Sequence, residues 1–294
     1  MQMLTIVLGI IFILLLLSLL ATTIMELVSS LMQLRGKNLE RALRNMLASS
    51  DLDERILEAF KQNALYRQLS YRNGKKLSAP SYVSPQSFQA ILMNILLEGR
   101  EQNLENIRGS IDKLGNQDLR EVLLQLLNES ENKLDDFRSK VQGWYNDVMD
   151  RSTAWYKQNT QKLLVMIGFA LAVVFNADTI AIYQRLGADP EALQQVVTMA
   201  EAYVAGNDVE AIRQRDPEFE QIYQNLKNLV QQDLEAARRP LGLGWDNGIA
   251  QMGPLDWLTK LLGWVVTALA VSLGAPFWFD LLKKIVNIRQ SAKN

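Results

Sequence analysis

Residues 141–178 read VQGWYNDVMDRSTAWYKQNTQKLLVMIGFALAVVFNAD, and this stretch decides the fold. Its first part mixes apolar and charged residues, whereas residues 163–175 carry no polar side chain. Trp155, Tyr156 and Lys162 stand near the change, and aromatic and basic residues together are typical of the lipid headgroup layer. The stretch therefore indicates a helix that begins in water and ends inside a membrane.

The apolar spacing extends this helix toward the N-terminus. Apolar residues recur at helical spacing, with charged residues between them, through Val141, Phe137, Leu134 and Leu127. No proline interrupts residues 86–189. We therefore predict one long helix over residues 116–186, which joins a soluble region to the second of three membrane spans. A buried core helix of a soluble protein is the alternative, and two further apolar blocks argue against it.

These two blocks lie near the ends of the chain. Residues 4–25 carry no charge, and 22 residues form a helix of about 33 Å against about 30 Å of hydrocarbon. No basic residue precedes this run and no small-residue cleavage motif follows it, which favours an anchor over a cleaved signal peptide. In the C-terminal block, residues 257–279, Pro276 predicts a kink and Gly274-Ala275 predicts the close approach of another backbone.

We therefore predict an all-α membrane protein with three transmembrane helices, a cytoplasmic helical domain and a long helix that runs continuously into the second span. Six segments follow along the chain: a first span 1–26, a cytoplasmic helical domain 27–160 that includes the long amphipathic helix, a second span 161–182, an extracytoplasmic acidic helical cap 183–256, a third span 257–282 and a cytoplasmic tail 283–294.

The distribution of Lys and Arg predicts the orientation. The flanks after the first span, before the second and after the third carry eleven bases, against three on the opposite flanks. Because Lys and Arg are retained on the cytoplasmic side, the N-terminus is expected outside and the C-terminus in the cytoplasm. Residues 27–160 then lie in the cytoplasm and residues 183–256 lie outside.

The composition limits the chemistry. The 294 residues carry a net charge of −1, a mean hydropathy of −0.04, and neither Cys nor His. These absences exclude disulfides, Cys/His zinc sites, histidine-ligated haem and Ser-His-Asp or Cys-His catalysis. The sequence contains no Walker-type or dinucleotide-binding glycine loop, and the near-neutral charge argues against nucleic-acid binding. We expect no cofactor, metal or nucleic-acid partner, and an enzyme is the less favoured class.

Four residues in or beside the spans are candidate functional residues: Asn176, Asp178, Pro276 and Asp280. A carboxylate at membrane depth is costly and usually faces protein or water. Asp178 is therefore either an ion or proton site within an oligomer or, as we favour, an outer-interface residue. Asp280 pairs either with the nearby Lys283 or Lys284 or with a group in a neighbouring span. Candidate lipid-interface residues are Arg35, Lys37, Trp155, Tyr156, Lys162, Trp257, Trp278, Lys283 and Lys284.

Two polar segments have opposite charge. Residues 66–85 contain Asn73-Gly74 and two prolines, which predicts a loop without regular structure, and its bases are Arg67, Arg72, Lys75 and Lys76. These bases face either anionic lipid, an acidic partner or simply water. In the acidic segment 183–256, Asp189 and Pro190 predict a helix start, and Asp216-Pro217 predicts another.

Several motifs resemble those of a family of bacterial integral membrane proteins whose activity is uncharacterised. They are residues 144–151 (WYNDVMDR) with 155–157 (WYK), 175–179 (FNADT) and 272–282 (SLGAPFWFDLL), together with 25–27 (MEL), 35–39 (RGKNL) and 80–82 (PSY). The likeness reaches most of the chain. It implies a multi-pass protein of the bacterial inner membrane, and it supplies no activity or ligand.

Three functions compete. The first is a non-enzymatic scaffold that self-associates in the membrane, with membrane lipids and further copies of the chain as partners and any other protein partner left open. The second is an oligomeric ion channel or transporter whose pathway uses the polar residues of the second and third spans. The third and weakest is a metal-dependent hydrolase built on Asp135, Asp136, Asp147 and Asp150, whose helical spacing spreads them over more than one face.

Overall fold

The computed structural model describes residues 2–48, 54–73, 76–131, 133–206, 224, 227–241, 243–245 and 253–291. The chain divides into two compact units. The middle unit is Met32–Gln158, and the terminal unit combines Met1–Leu31 with Asn159–Asn294. The all-α prediction is confirmed, with one short β-hairpin as the exception.

The middle unit is a bundle of short helices packed on the first part of a long one. Its elements are α2 (Leu34–Leu47), α3 (Arg55–Gln62), α4 (Ala64–Leu69), β1 (Tyr71–Asn73), β2 (Lys76–Ser78), α5 (Pro85–Leu97), α6 (Leu104–Ile111), α7 (Gln117–Asn128) and the N-terminal part of α8 (Leu134–Val174). Side-chain caps from Ser84, Asn103 and Asn116 begin α5, α6 and α7.

Aromatic rings form the centre of the middle unit. The rings of Phe88 and Tyr145 stack with centroids 4.5 Å apart, and Phe60 packs against Phe88 at 5.4 Å. Tyr145 is buried and its hydroxyl donates to the Val83 carbonyl at 2.7 Å. Phe137 and Val141, which belong to the apolar stripe predicted for the long helix, lie inside this core together with Tyr145.

The predicted long helix over 116–186 is wrong at its start. Two helices occupy this stretch, because α7 ends at Asn128 and α8 begins at Leu134. Ser130 closes the first helix by donating to the Leu127 carbonyl at 2.6 Å, and Glu131 takes a left-handed conformation with φ of 49°. From Leu134 onward the prediction of a continuous helix into the second apolar block is confirmed.

The segment 66–85 also differs from its prediction. A two-stranded antiparallel hairpin pairs Tyr71 with Ser78, Arg72 with Leu77 and Asn73 with Lys76. The register leaves two residues between the strands, of which Gly74 is the first, and glycine at that position is a hairpin signal that the prediction overlooked. Of the four predicted bases, Lys75 lies outside the described residues.

The terminal unit surrounds one apolar helix, α1 (Gln2–Leu31). The helices around it are the C-terminal part of α8, α9 (Thr179–Ala188), α10 (Pro190–Gly206), α11 (Glu235–Leu241) with the π-helical turn Leu229–Leu234 before it, α12 (Pro254–Val271) and α13 (Ala275–Ser291). Residues 11–17 of α1 are each at most 4% exposed, so the most apolar helix is covered by its own chain. The predicted helix start at Asp189-Pro190 is confirmed, with Asp189 Oδ1 accepting from the Glu191 and Ala192 amides. Asp216-Pro217 lies outside the described residues.

The helices around α1 present outer faces of opposite character. The exposed residues of α10 and α13 are mainly polar and include Gln194, Gln195, Thr198, Lys283, Lys284 and Asn287. The exposed residues of α12 are mainly apolar and include Leu258, Leu262, Val265 and Leu269. The terminal unit therefore has one face suited to water and another suited to an apolar environment.

The predicted third span, residues 257–282, is interrupted. The α12 helix ends at Val271, and Gly274 takes a φ of 88° before α13 begins. Pro276 is the second residue of α13, and residues in the first turn of a helix do not donate an intrahelical hydrogen bond. Proline is therefore tolerated there, and the predicted kink inside a continuous helix is wrong. Ala275 packs within the same chain at 1% exposure, whereas two helix backbones approach closely at Gly168, where a Cβ would lie 3.2 Å from the Ala268 carbonyl oxygen.

An ion pair joins two segments that the predicted topology separates. Arg289 Nη1 on α13 lies 2.7 Å from Glu201 Oε1 on α10, and the Arg289 side chain is only 9% exposed. The prediction put residues 183–256 outside and 283–294 in the cytoplasm. This contact is incompatible with that pair of assignments, because it requires both residues on one side of the membrane.

Helix length and composition test the number of spans. Two helices are long and apolar enough to cross a membrane, Met3–Leu31 and Pro254–Val271. Leu134–Val174 with Thr179–Ala188 adds a third if this pair, bent by 46°, counts as one span. The described residues thus contain two or three candidate spans.

The buried tyrosines of the middle unit predict a dependence of stability on pH. Burial raises the pKa of the Tyr66 and Tyr145 hydroxyls above the usual value, and Glu40 adds to the effect at Tyr66. The unfolded chain therefore ionises first, so stability is complete below about pH 10 and falls above it. We expect each tyrosine to contribute at most about 1.4 kcal/mol per pH unit to the loss.

Urea unfolding of the middle unit between pH 9 and 12, followed by near-ultraviolet circular dichroism, measures this loss at about half-unit steps. Tyr145→Phe should reduce the slope of the unfolding free energy against pH by about 1.4 kcal/mol per pH unit, which corresponds to one proton. Tyr82→Phe removes a hydroxyl from a 66% exposed residue that raises the pKa of Tyr145 less than burial does, so it should change the slope much less than Tyr145→Phe. Equal slopes for the wild type and Tyr145→Phe would contradict the assignment.

Candidate functional site at a helix break

The helix that enters the apolar block 163–175 is broken just after this block. The α8 helix ends at Val174, α9 begins at Thr179, and Asn176 between them has a φ of 50°. Backbone amides just after α8 donate to its last carbonyls, and Ala177 N donates to Ala172 O at 2.8 Å. The predicted continuous helix to Leu186 is therefore wrong here as well. The break leaves polar backbone groups among apolar side chains, where an unpaired group is costly.

A distant segment, Leu243–Trp245, supplies partners for this backbone. The Gly244 amide donates to the Phe175 carbonyl at 2.7 Å, and Asn176 Nδ2 donates back to the Gly244 carbonyl at 2.9 Å. Trp245 Nε1 donates to the Val173 carbonyl at 3.0 Å. This segment therefore holds the break in one geometry.

Asp178 begins the helix after the break. Its Oδ1 accepts from the amides of Ile180 at 2.9 Å and Ala181 at 3.3 Å, which makes it the N-cap of α9. The residue is 6% exposed, and its carboxylate lies against Gly263 of α12. A Cβ at position 263 would be 1.8 Å from Oδ1, so only glycine fits there.

Thr267 lies one turn beyond Gly263 on the same face of α12. Its hydroxyl oxygen is 2.8 Å from the Ala177 carbonyl and 2.7 Å from the Thr179 hydroxyl, and it accepts from the Thr179 amide at 3.2 Å. The hydroxyl thus joins the two helices at the break, and it is fully buried.

A buried cation lies on the same face, one turn before Gly263. Lys260 is 8% exposed, and its Nζ lies 5.7 Å from the ring centre of Trp245 and 5.8 Å from that of Trp264. Trp257 packs edge-on against Trp264. No carboxylate of the described residues lies within 4 Å of this ammonium group, so the two indole faces supply its electrostatic stabilisation.

Two buried polar atoms at the break have no partner among the described residues. They are the Asn176 Oδ1 acceptor and the Trp264 Nε1 donor. A cavity of about 310 Å³ adjoins the break and is lined in part by Phe175, Arg238 and Trp245. A buried acceptor and a buried donor without partners are suited to binding water.

The structure brings two of the four candidate residues together and leaves the other two elsewhere. Asn176 and Asp178 both lie at the break. Pro276 and Asp280 lie on α13, which packs along α1. Sequence reasoning missed Lys260 as a buried group and did not select Gly263 or Thr267. The spacing of Lys260, Gly263 and Thr267 by three and seven residues, on one face of an apolar helix, could have identified them.

The candidate lipid-interface residues divide by exposure. Trp155 is 56% and Trp257 39% exposed, and exposed positions are also found at Arg35, Lys37, Lys162, Lys283 and Lys284. Tyr156 is half-buried. Trp278 is only 9% exposed and donates through Nε1 to the Ala270 carbonyl at 2.7 Å, so its expected place at the surface is wrong.

The carboxylates of the hydrolase hypothesis do not assemble into a site. Among the described residues, no group of three or more Asp or Glu side chains is placed to hold a metal ion. Asp135 instead forms an ion pair with Arg138 at 2.9 Å. Comparison with known proteins gives no assignment either, since no family model, curated protein or solved structure matches the chain.

The fit of Asp178 against Gly263 predicts a specific coupling. Gly263→Ala should destabilise the terminal unit by about 1–3 kcal/mol, because the added methyl group displaces the capping carboxylate. Asp178→Ala removes the clashing group, so Gly263→Ala should cost much less in that background. Thermal unfolding of the four proteins in detergent measures the coupling.

Gly143→Ala is the matched control, since a Cβ at this glycine of α8 meets nothing within 4 Å. It should be neutral or stabilising by up to about 1 kcal/mol. Additive effects of Gly263→Ala and Asp178→Ala would show that the two residues do not touch.

Proposed function

We propose that the chain is an integral membrane protein that works as a self-associating, non-enzymatic scaffold. The terminal unit is embedded in the bilayer, and the middle unit is carried at its surface. The single observation that carries the proposal is the apolar outer face of α12.

The outer face of α12 is continuous along the helix. Its residues recur every three or four positions and are 40–55% exposed at Leu258, Leu262, Val265 and Leu269. Lys260, Gly263 and Thr267 lie on the opposite, buried face. A helix in water has the reverse arrangement, so this face supports contact with lipid or with the same face of a second copy.

Other features that suggested self-association act within one chain. The buried residues of the α8 stripe pack in the core of the middle unit, and Gly274-Ala275 forms the turn between α12 and α13. Self-association therefore depends on α12 in this proposal.

The setting that we infer is a bacterial inner membrane, which rests on the motif resemblance. We place the N-terminus outside and the middle unit in the cytoplasm, because the flanks between the first two spans carry seven bases and the opposite flanks of those spans carry one. The pairing of Glu201 with Arg289 removes the basis for placing the tail opposite α10, so we assign no side to α13.

Cysteine cross-linking tests self-association directly. The chain has no native cysteine, so only introduced thiols react. Leu258→Cys, Leu262→Cys, Val265→Cys and Leu269→Cys should give disulfide-linked dimers in oxidised membranes, because a disulfide forms only where two Cα atoms approach within about 7 Å. Dimer bands on non-reducing gels are the measurement.

Ala268→Cys is the control, since that residue is on α12 but only 2% exposed, and it should remain monomeric. The absence of dimers at all four outer positions would contradict the scaffold and leave lipid as the sole neighbour of α12. Recovery of the wild-type chain in the soluble fraction would remove membrane embedding as well.

The helix break favours a second candidate function, an oligomeric ion channel or transporter. Interrupted helices at membrane depth form ion and substrate sites in transporters, and buried charges there mark translocation pathways. Asp178, Lys260 and the two unpartnered atoms at the break fit that pattern. The polar outer faces of α10 and α13 are suited to line an aqueous lumen between subunits.

Asp178→Asn tests this candidate because asparagine keeps the capping oxygen and removes the charge. If Asp178 lies in the pathway, flux of protons or potassium into reconstituted vesicles should change by at least about tenfold. Asp189→Asn, at the N-cap of α10, is the matched control and should leave flux unchanged. Wild-type flux in Asp178→Asn would exclude the residue from any pathway.

A further inference from the structure

The middle unit has a groove between three of its helices, α2, α7 and α8. The volume of this α2/α7/α8 groove is about 270 Å³. Its floor is apolar, with Met46 and Leu119 buried and Val148 and Trp144 half-buried. Asn38 fixes the wall by donating from Nδ2 to the Ser152 carbonyl at 3.4 Å.

The rim of the groove is polar and mainly cationic. Arg41 on α2 and Arg151 on α8 are exposed, and neither forms an ion pair within the part of the chain that the structure describes. Arg44, on the same helix as Arg41, is by contrast paired with Glu54. Asp118 on α7 is the carboxylate of the rim and opposes one of the two positive charges. The charge left over is positive, so the groove favours an anion with an apolar end.

The position of the groove along α8 narrows the choice of anion. Trp155 lines the groove and is 56% exposed, and the predicted second span begins six residues later on the same helix, about 9 Å along its axis. Exposed Trp and Arg side chains at this distance from an apolar run are typical of the headgroup region. Arginine binds phosphate through paired N–H groups, and two arginines on one rim suit a phosphate group.

We propose that the α2/α7/α8 groove binds an anionic phospholipid. The lipid phosphate lies between Arg41 and Arg151, and the glycerol end with the start of its acyl chains covers Met46, Leu119 and Trp144. This site rests on the proposed function in one respect, since it requires the middle unit to lie beside a bilayer. It gives the scaffold a preference for anionic lipid that charge alone, spread over the surface, would not give.

Native mass spectrometry of the full chain tests the site, with phosphatidylglycerol as the probe and phosphatidylcholine for comparison. The wild type should retain phosphatidylglycerol in preference to phosphatidylcholine. Arg41→Gln combined with Arg151→Gln should weaken retention about tenfold or more, because two charge-assisted contacts are lost. Asp118→Asn should strengthen retention, because it removes the repulsive carboxylate while both arginines remain.

Arg100→Gln combined with Lys133→Gln is the matched control, since it removes two exposed bases of the middle unit that lie outside the groove. It should retain phosphatidylglycerol as the wild type does. An equal loss in this control would overturn the proposal in favour of non-specific charge attraction. Inorganic phosphate, which lacks the apolar end, should not displace the lipid, and displacement would also overturn it.

Unchanged retention in the Arg41/Arg151 variant would overturn the proposal and leave an acidic polypeptide as the candidate occupant. Circular dichroism tests whether each variant is folded. If the double arginine variant is unfolded, the retention of phosphatidylglycerol by Asp118→Asn decides whether the groove binds the lipid. Dimer formation by Leu262→Cys in the same membranes reports separately on the scaffold, so failure of the lipid site and failure of self-association are distinguished.

Discussion

The terminal unit depends on satisfying backbone hydrogen-bonding groups where helices end among apolar residues. An apolar surrounding, whether protein core or lipid, supplies no donors or acceptors, so each free carbonyl there must find a partner within the protein. At the end of α12, three side chains supply donors to three successive carbonyls: Trp278 to Ala270, Ser18 to Val271 and Gln161 to Ser272. The break after α8 is completed by Asn176, Trp245 and Thr267. Both interruptions are therefore built features, held by side chains from other helices.

The same constraint explains which elements the sequence predicts. Asp189-Pro190 starts a helix through local chemistry alone, and the structure agrees. The break at Asn176 has neither proline nor glycine, and its partners Gly244 and Trp245 are 68 and 72 residues away from the groups they bind. Asn176 and Asp178 are local signals for a helix end and a helix start, but the apolar periodicity continues past them and the groups that complete the break lie far away in the sequence.

Of the candidate site, the sequence predicts Asp178 but neither Lys260 nor Gly263. A carboxylate inside an apolar run is conspicuous, and Asp178 was identified from that contrast. Lys260 lies near the end of its helix, where a base is expected at the lipid interface, and the sequence gives no indication that two indole rings bury it. Gly263 has meaning only once the Asp178 carboxylate is placed against it. Residues that act through a partner on another helix are hidden until the helices are assembled.

The two faces of α12 connect this architecture to function. Lys260, Gly263 and Thr267 face inward to the break, and the outer face is mainly apolar. The α10 and α13 helices do the opposite, with apolar residues against α1 and polar residues outside. One unit with both kinds of surface suits a setting where an apolar medium and water are both within reach. A single chain meets that condition at the edge of a bilayer, whereas copies joined through α12 meet it by covering one another's apolar faces. The self-association that we propose would thus follow from the way the chain satisfies its own backbone hydrogen-bonding groups.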